Sequence, residues 1–418
     1  ARLHAGKTLE DLGKAACVTA THVGRWERGE RPIPKDLIGR VDQAADADGF
    51  LVALHEFVMK LESTTALPVQ AIDLTDPEAM DNVRRHLLLG IAAAGIGPAM
   101  PSLEGIEALR RLLSARDGGT TLADWEETAW EYSHQITTGN RTAVITDLGM
   151  DLLDLQLAMS RARAGETPGW ARVQTKLLFL MAVGLSTTGR SREARYWWAL
   201  ARRAAAYADD DGESLAFVGG FEAMQGLFAA RPLDLVLDKA HETVAMAKGR
   251  PYAGTAEALA TIAQVSARLG RAADAEKALQ DLADTYERLP DSVTRDKMAA
   301  GAWPLSRLLH TQSFVYSHLG NMDAGERARE QVLPTYPAAR RHQIALLRLH
   351  QSVALVRSGD IVTGLNHAQS VISELPAEER PGPVTTAAGW VADAVPPAQQ
   401  SLPQVLDYRR SLTSAAKA

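Results

Sequence analysis

Between Thr8 and Gly29 the chain sets polar and basic side chains, Thr19, Thr21, His22, Arg25 and Arg28, along what reads as the second of two short helices. Hydroxyls and guanidinium groups at helical spacing hydrogen-bond to base edges, and cations neutralise phosphates. The chemistry on offer is that of a helix presented to the major groove of DNA. The elements that must position these groups are also legible. Thr8 and Thr19 each stand where a helix starts, and a hydroxyl there accepts a hydrogen bond from an orphan backbone N–H. Asp11, three residues after Thr8, gives a capping-box-like pairing. Leu12, Val18, Val23 and Trp26 supply an apolar set that locks the two helices together, and Gly13 leaves room where they cross closely.

The whole chain has 418 residues, 46% hydrophobic and 23% charged, with a net charge of −6 and one cysteine. That length supports two or more cores in an ordinary soluble composition. A lone cysteine, Cys17, forms no intrachain disulfide and fits a reducing, cytoplasmic setting. The acidic total excludes a general polyanion binder. The first forty residues differ, with eight basic against five acidic side chains, a local +3. DNA affinity is therefore expected to be local, modest per monomer and salt-sensitive, and a dimer would double the contacts. Arg84-Arg85 and the apolar run Leu87 to Met100 look superficially like a twin-arginine export signal. They lie far inside the chain, and the run is too short and too rich in Gly and Ala to span a membrane, so a helix buried between domains is expected. The sequon at Asn140 is uninformative in a cytoplasmic protein. The chain opens at Ala1 inside what should be a helix, so a few native residues are expected to be missing.

Beyond the first unit, Pro32 and Pro34 close it, and Pro34 can begin a further helix buried through Leu37, Ile38 and Val41. Phe50, Leu51, Leu54, Phe57, Val58 and Leu61 predict an amphipathic helix over about 49–62. Residues 63–80 read as an exposed connector. From about 81 to 393 every strong apolar pattern has the helical period and no strand is expected. A repeat is visible in the second half. Gly189, Gly270, Gly320 and Gly359 each mark a turn between helices, with the small Ala194, Ala275, Gly325 and Gly364 five residues on, and a weaker copy lies around Ala230 to Leu235. Stacked helix pairs share a continuous core and curve into a superhelix with a concave face. Residues 81–175, with Trp125, Trp130, Leu148, Leu152, Leu153, Leu155 and Leu157, predict further pairs with diverged loops.

The Thr8–Gly29 unit resembles the Xre (lambda-repressor-like) helix-turn-helix family at Thr8, Leu12, Gly13, Ala16, Val18, Thr19, Val23, Trp26, Glu27, Arg28 and Gly29. Cys17 departs from it, standing where the family has its turn glycine; that position has positive φ, which costs a non-glycine residue roughly 1 kcal/mol or more. The later repeats resemble degenerate tetratricopeptide repeats. The combination resembles actinobacterial Xre–tetratricopeptide regulators and, more distantly and by architecture alone, the RRNPP peptide-sensing regulators. These resemblances imply an all-α fold: a lambda-repressor-like helix-turn-helix domain over 1–62, a linker over 63–80, divergent helical repeats over 81–175, a tetratricopeptide-like superhelix over 176–393 and a C-terminal helix or tail over 394–418.

Carried over position by position, the resemblance implies base contacts from Ala20, Thr21, Gly24 and Arg25. Arg25 could fork onto a guanine, or instead touch phosphate or a nearby carboxylate. Ala20 and Gly24 stand where the family often has polar side chains, so specificity leans on Arg25, Thr21 and DNA shape. His22, Arg28, Arg31 and Lys35 are placed for phosphate. Counting back from the turn glycines puts Lys176, Thr187, Gln264, Arg268, His310, Ser317, His318 and Arg357 near the concave surface. A peptide held by its backbone, or a small-molecule hormone near Trp197, Trp198 or Tyr316, would fit such a lining. No glycine-rich phosphate loop, metal-spaced cluster or serine elbow is present, so no enzyme, cofactor or metal is expected. The reading is a homodimeric, sequence-specific transcription regulator on an inverted-repeat operator, with a signal that shifts its population of states. Two alternatives are repeats that dock a protein partner, and a scaffold whose DNA module no longer binds DNA.

Overall fold

The computed structural model describes residues 7–27, 33–44, 52, 121–159, 162, 164–338, 340–376, 379–380 and 382–415. The expected helix over 49–62 (apart from Val52), the 63–80 connector, and the Arg84-Arg85 segment lie outside them. Every regular element among the described residues is helical, so the chain is all-α, a helix-turn-helix followed by a repeat-like helical region. It divides into two compact units, 1–107 and 108–418.

In the first unit, α1 (Leu9–Ala16) opens on the capping box read from the sequence. The Asp11 N–H donates to Thr8 Oγ1 at 3.1 Å and the Thr8 N–H donates to Asp11 Oδ2 at 2.8 Å. The Thr8 N–H and the Thr8 hydroxyl, both donating to Asp11 Oδ2, hold that carboxyl below its ordinary value. The helix ends at Cys17 in the left-handed conformation, φ 57°. The next N–H, from Val18, donates to Gly13 O at 2.8 Å. A Cβ on Gly13 would itself lie 2.8 Å from Val18 O, so the glycine permits this tight crossing. Then α2 (Ala20–Glu27) runs on, its His22 and Val23 N–H groups donating to Thr19 O. Pro34 does not begin a helix; its carbonyl accepts from Leu37 and Ile38 in a turn, and α3 (Ile38–Ala44) starts at Ile38. Leu12, Ala16, Val23 and Val41 form the core, with Leu9, Val18 and Trp26 packed against it.

Among the described residues of the second unit, α4 (Leu122–Thr138) and α5 (Arg141–Met159) come first, then five helical hairpins. These are α6 (Thr167–Thr187) with α7 (Ser191–Ala205), α8 (Glu213–Phe228) with α9 (Leu233–Ala247), and α10 (Ala253–Arg268) with α11 (Ala272–Tyr286). After the short α12 (Asp291–Thr294) come α13 (Leu305–Leu319) with α14 (Met322–Val332), and α15 (Arg341–Arg357) with α16 (Ile361–Ser373); α17 (Pro383–Asp393) and α18 (Pro403–Ala415) end the chain. All five hairpin turns pivot on a positive-φ residue, Gly189, Ala230, Gly270, Gly320 or Gly359. The left-handed residue closes the first helix of each pair and reverses the chain within a few residues. Ala194, Ala275, Gly325 and Gly364 are all buried where the paired helices meet. Helices α8 and α10 cross closely at two glycines, where a Cβ on Gly254 would lie 2.0 Å from Ala216 O and one on Gly220 would lie 2.1 Å from Gly254 O.

Two features break the repeat. Residues 290–304 form a strap between α11 and α13 that reaches the start of the unit: Thr137 Oγ1 donates to Met298 O at 2.7 Å and the Ala300 N–H donates to Ser133 O at 2.7 Å. Helix α17 returns to earlier hairpins, its Thr386 Oγ1 donating to Phe228 O at 2.7 Å. Trp390 on the same helix packs among Phe228, Phe314 and His318.

Candidate nucleic-acid interface and interior cavity

The alternation along α2 separates two faces. Val23 and Gly24 are buried and Ala20 is half-buried, whereas Thr21, His22 and Arg25 are exposed. Thr19 Oγ1 lies 2.8 Å from His22 Nδ1, tying the ring back to the start of the helix. Thr21, His22 and Arg25 thus come together on one solvent-facing surface, and Gly24 does not join them. Lys35 is exposed on the turn before α3. Arg28 and Arg31 lie outside the described residues. Exposed donors on a helix anchored by Val23 can reach base edges and phosphates without losing core packing.

Within the second unit, α4, α6, α8, α10, α13 and α15 and the strap line a partly open cavity of about 200 Å³. Its apolar wall includes Phe179, Phe221, Met224 and Phe228; its polar wall includes Glu257, Gln264, Arg307, His310, Tyr336 and Arg340, with Arg141 and Lys297. Glu257 is buried, and its Oε2 accepts from Trp303 Nε1 at 2.8 Å and Arg307 Nη1 at 2.6 Å. Arg340 Nη2 donates to the strap carbonyls of Lys297 at 3.0 Å and Met298 at 2.7 Å. Burial, then repulsion from Arg307, lowers the Arg340 pKa to about 10. Burial also pushes His310 down to about 4, with Arg307 adding to the shift. The Tyr336 hydroxyl, 3.3 Å from His310 Nδ1, is shifted upward mainly by burial.

Of the residues placed on a concave surface by counting, Thr187, Gln264 and His310 line this cavity and the other five do not. Arg268 stacks over Trp390 at 4.6 Å and pairs with Asp393. His318 is buried and stacked on Phe314 at 4.1 Å, its pKa driven to about 3 by burial and by Arg268 and Arg357. Ser317 is buried and accepts from Arg329 Nη1 at 2.9 Å. Arg357 is exposed beside its turn, and Lys176 is exposed on α6. Trp198 is buried with its ring edge-on to Phe179, and so serves the core. The counting missed Glu257, Trp303, Arg307, Tyr336 and Arg340. One signal could have found the strap that gathers several of them. The interval from Gly270 to Gly320 is about ten residues longer than the intervals between the other successive turns.

Among the described residues no His, Cys, Asp and Glu cluster is arranged to hold a metal, and no helix is long and apolar enough to cross a membrane. Residues 1–44 match the family model described as Helix-turn-helix. The N-terminal segment is therefore similar to a helix-turn-helix of the DNA-binding, transcription-regulator kind. No curated protein and no solved structure matches the chain.

Proposed function

We propose that the protein is a cytoplasmic, homodimeric transcription regulator that reads an inverted-repeat operator with two copies of α2 and senses a small molecule in its helical unit. The observation that carries this reading is the exposed cluster of Thr21, His22 and Arg25 on a helix anchored by Val23, within a segment that matches the helix-turn-helix model. Thr21 and Arg25 read base edges. Ala20 is small and half-buried, so it lets the start of the helix come close to the groove. His22, Arg28, Arg31 and Lys35 hold phosphates. Two modules meet successive major grooves about 34 Å apart. The helical unit is a degenerate tetratricopeptide-like stack, and a ligand that prefers one of its shapes shifts the population competent to bind the operator.

Selection of bound genomic fragments from the full chain, followed by gel shifts on the best fragment, tests this. Arg25→Ala is expected to cost about 1–3 kcal/mol on that operator, a loss of roughly five- to 150-fold. Lys35→Ala should weaken all sequences alike and flatten the salt dependence. Unchanged affinity in Arg25→Ala would remove α2 as the reading helix, and failure to recover any fragment would remove DNA recognition altogether.

A further inference from the structure

The interior cavity carries charge of one sign facing an apolar wall. Arg141, Arg307 and Arg340 line it with Lys297 at the rim, against one lining carboxylate, Glu257, already shared by Trp303 and Arg307. Asp296 lies near Arg340 but is engaged by His134 and by the N–H groups of Met298 and Ala299. Glu379 near Arg141 is also shared with Arg341.

Two polar atoms in the wall lack partners among the described residues. Arg340, 9% exposed, leaves its Nε donor unused, and Gln264, 4% exposed, leaves its Oε1 acceptor unused. A buried group in that condition costs about 1–3 kcal/mol, so a molecule that supplies both an acceptor and a donor would remove a standing penalty. Water could satisfy either atom, but only an anion also offsets the excess of guanidinium charge. Size narrows the class further. A cavity of about 200 Å³ compares with about 150 Å³ for an engineered apolar cavity that takes benzene. Its inner part therefore holds roughly one substituted ring.

We propose that this cavity binds a compact aromatic carboxylic acid carrying a second hydrogen-bond donor. The carboxylate meets Arg340, with Arg307 and Arg141 supplying charge. The ring lies against Phe179 and Phe221, and the donor serves Gln264 Oε1. This rests on the reading of the helical unit as the sensing part, and makes it specific. Arg340 also holds two carbonyls of the strap, so filling the site would tie the strap to the hairpins it crosses.

The test is calorimetric titration of the full chain with para-hydroxyphenylacetate, para-hydroxyphenylacetamide, phenylacetate, acetate and inorganic phosphate. The expected result is saturable binding of the hydroxy acid, about tenfold or more weaker binding of its amide, and none of acetate or phosphate over the same range. Arg340→Gln should weaken the acid about tenfold while leaving the amide unchanged. Because that variant also disturbs the strap, Gln264→Leu provides the second arm. It removes an unpartnered acceptor, should keep or raise the melting temperature, and should erase the preference for para-hydroxyphenylacetate over phenylacetate. Equal affinity for acid and amide, binding of phosphate as tight as the acid, or no binding of the acid at millimolar concentration would each overturn the assignment. Binding with no change in operator affinity would uphold the site and overturn the regulatory reading instead.

Discussion

In the N-terminal unit the polar groups of α2 stand in solvent over a core of Leu12, Ala16, Val23 and Val41, while the helical unit turns its densest polar cluster inward against phenyl rings. An exposed set can meet a partner as large as a duplex and tolerates substitution one side chain at a time. In a buried set each donor or acceptor left without a partner carries a cost, so its members depend on one another. The contrast extends to titration. Burial holds His310, His318, His342 and His350 neutral in the helical unit. The described core of the N-terminal unit contains no histidine. One unit is therefore expected to answer to salt and sequence, the other to pH and to what fills its cavity.

The sharpest way to break that contrast is Gly254→Ala. The new methyl would meet backbone, 2.0 Å from Ala216 O, which cannot swing aside. A loss of about 3 kcal/mol or more is expected in urea unfolding of the helical unit, with the N-terminal unit unaffected. Acid comes next. In the unfolded chain these imidazoles titrate near 6.5, whereas the fold holds His310 near 4, His342 near 4 and His318 near 3. Between those values the unfolded state binds more protons, so stability is complete above about pH 7 and falls as pH drops through the window. The set should lose about 2 kcal/mol or more per pH unit, read as a falling urea midpoint, and His318→Phe should flatten the slope. A flat profile would show that these rings are not held neutral.

Glu257→Gln removes the carboxylate shared by Trp303 and Arg307 and leaves Arg307 facing Arg340 without a counter-charge. About 2 kcal/mol of destabilisation is expected, checked against Lys277→Ala, whose exposed pair with Asp281 should be worth under about 0.5 kcal/mol. A smaller effect than that of Glu257→Gln sharpens the other side. Cys17→Gly relieves a left-handed backbone, φ 57°, and should raise the stability of the N-terminal unit by up to about 1 kcal/mol without touching the helical unit.

Much of the fold was legible because it is written in short intervals. The Thr8–Asp11 box needs three residues, the Cys17 turn needs one φ angle, and the hairpins need a turn residue followed by a small one. Ala230 makes the same left-handed turn, φ 52°, but Leu235, five residues on, is large and exposed, so this copy was the weaker signal. Counting from the turns placed Thr187, Gln264 and His310 at the cavity because helical period carries a side chain's height and facing over a few turns. The same count could not see α17. Trp390, more than seventy residues beyond His318 in the chain, occupies the space beside His318 and Arg268. Nor could it see the strap, whose residues follow no period.

The sequence by itself determined the helical class, the Thr8–Asp11 cap, the glycine turns and which face of α2 is polar, since each follows from side chains within a few positions of one another. Only the tertiary structure decided that the stack lines a partly open cavity and that Arg340, Arg307 and Glu257 meet across it. That meeting joins segments some eighty residues apart, and long-range contacts depend on how helices pack, which no local pattern encodes.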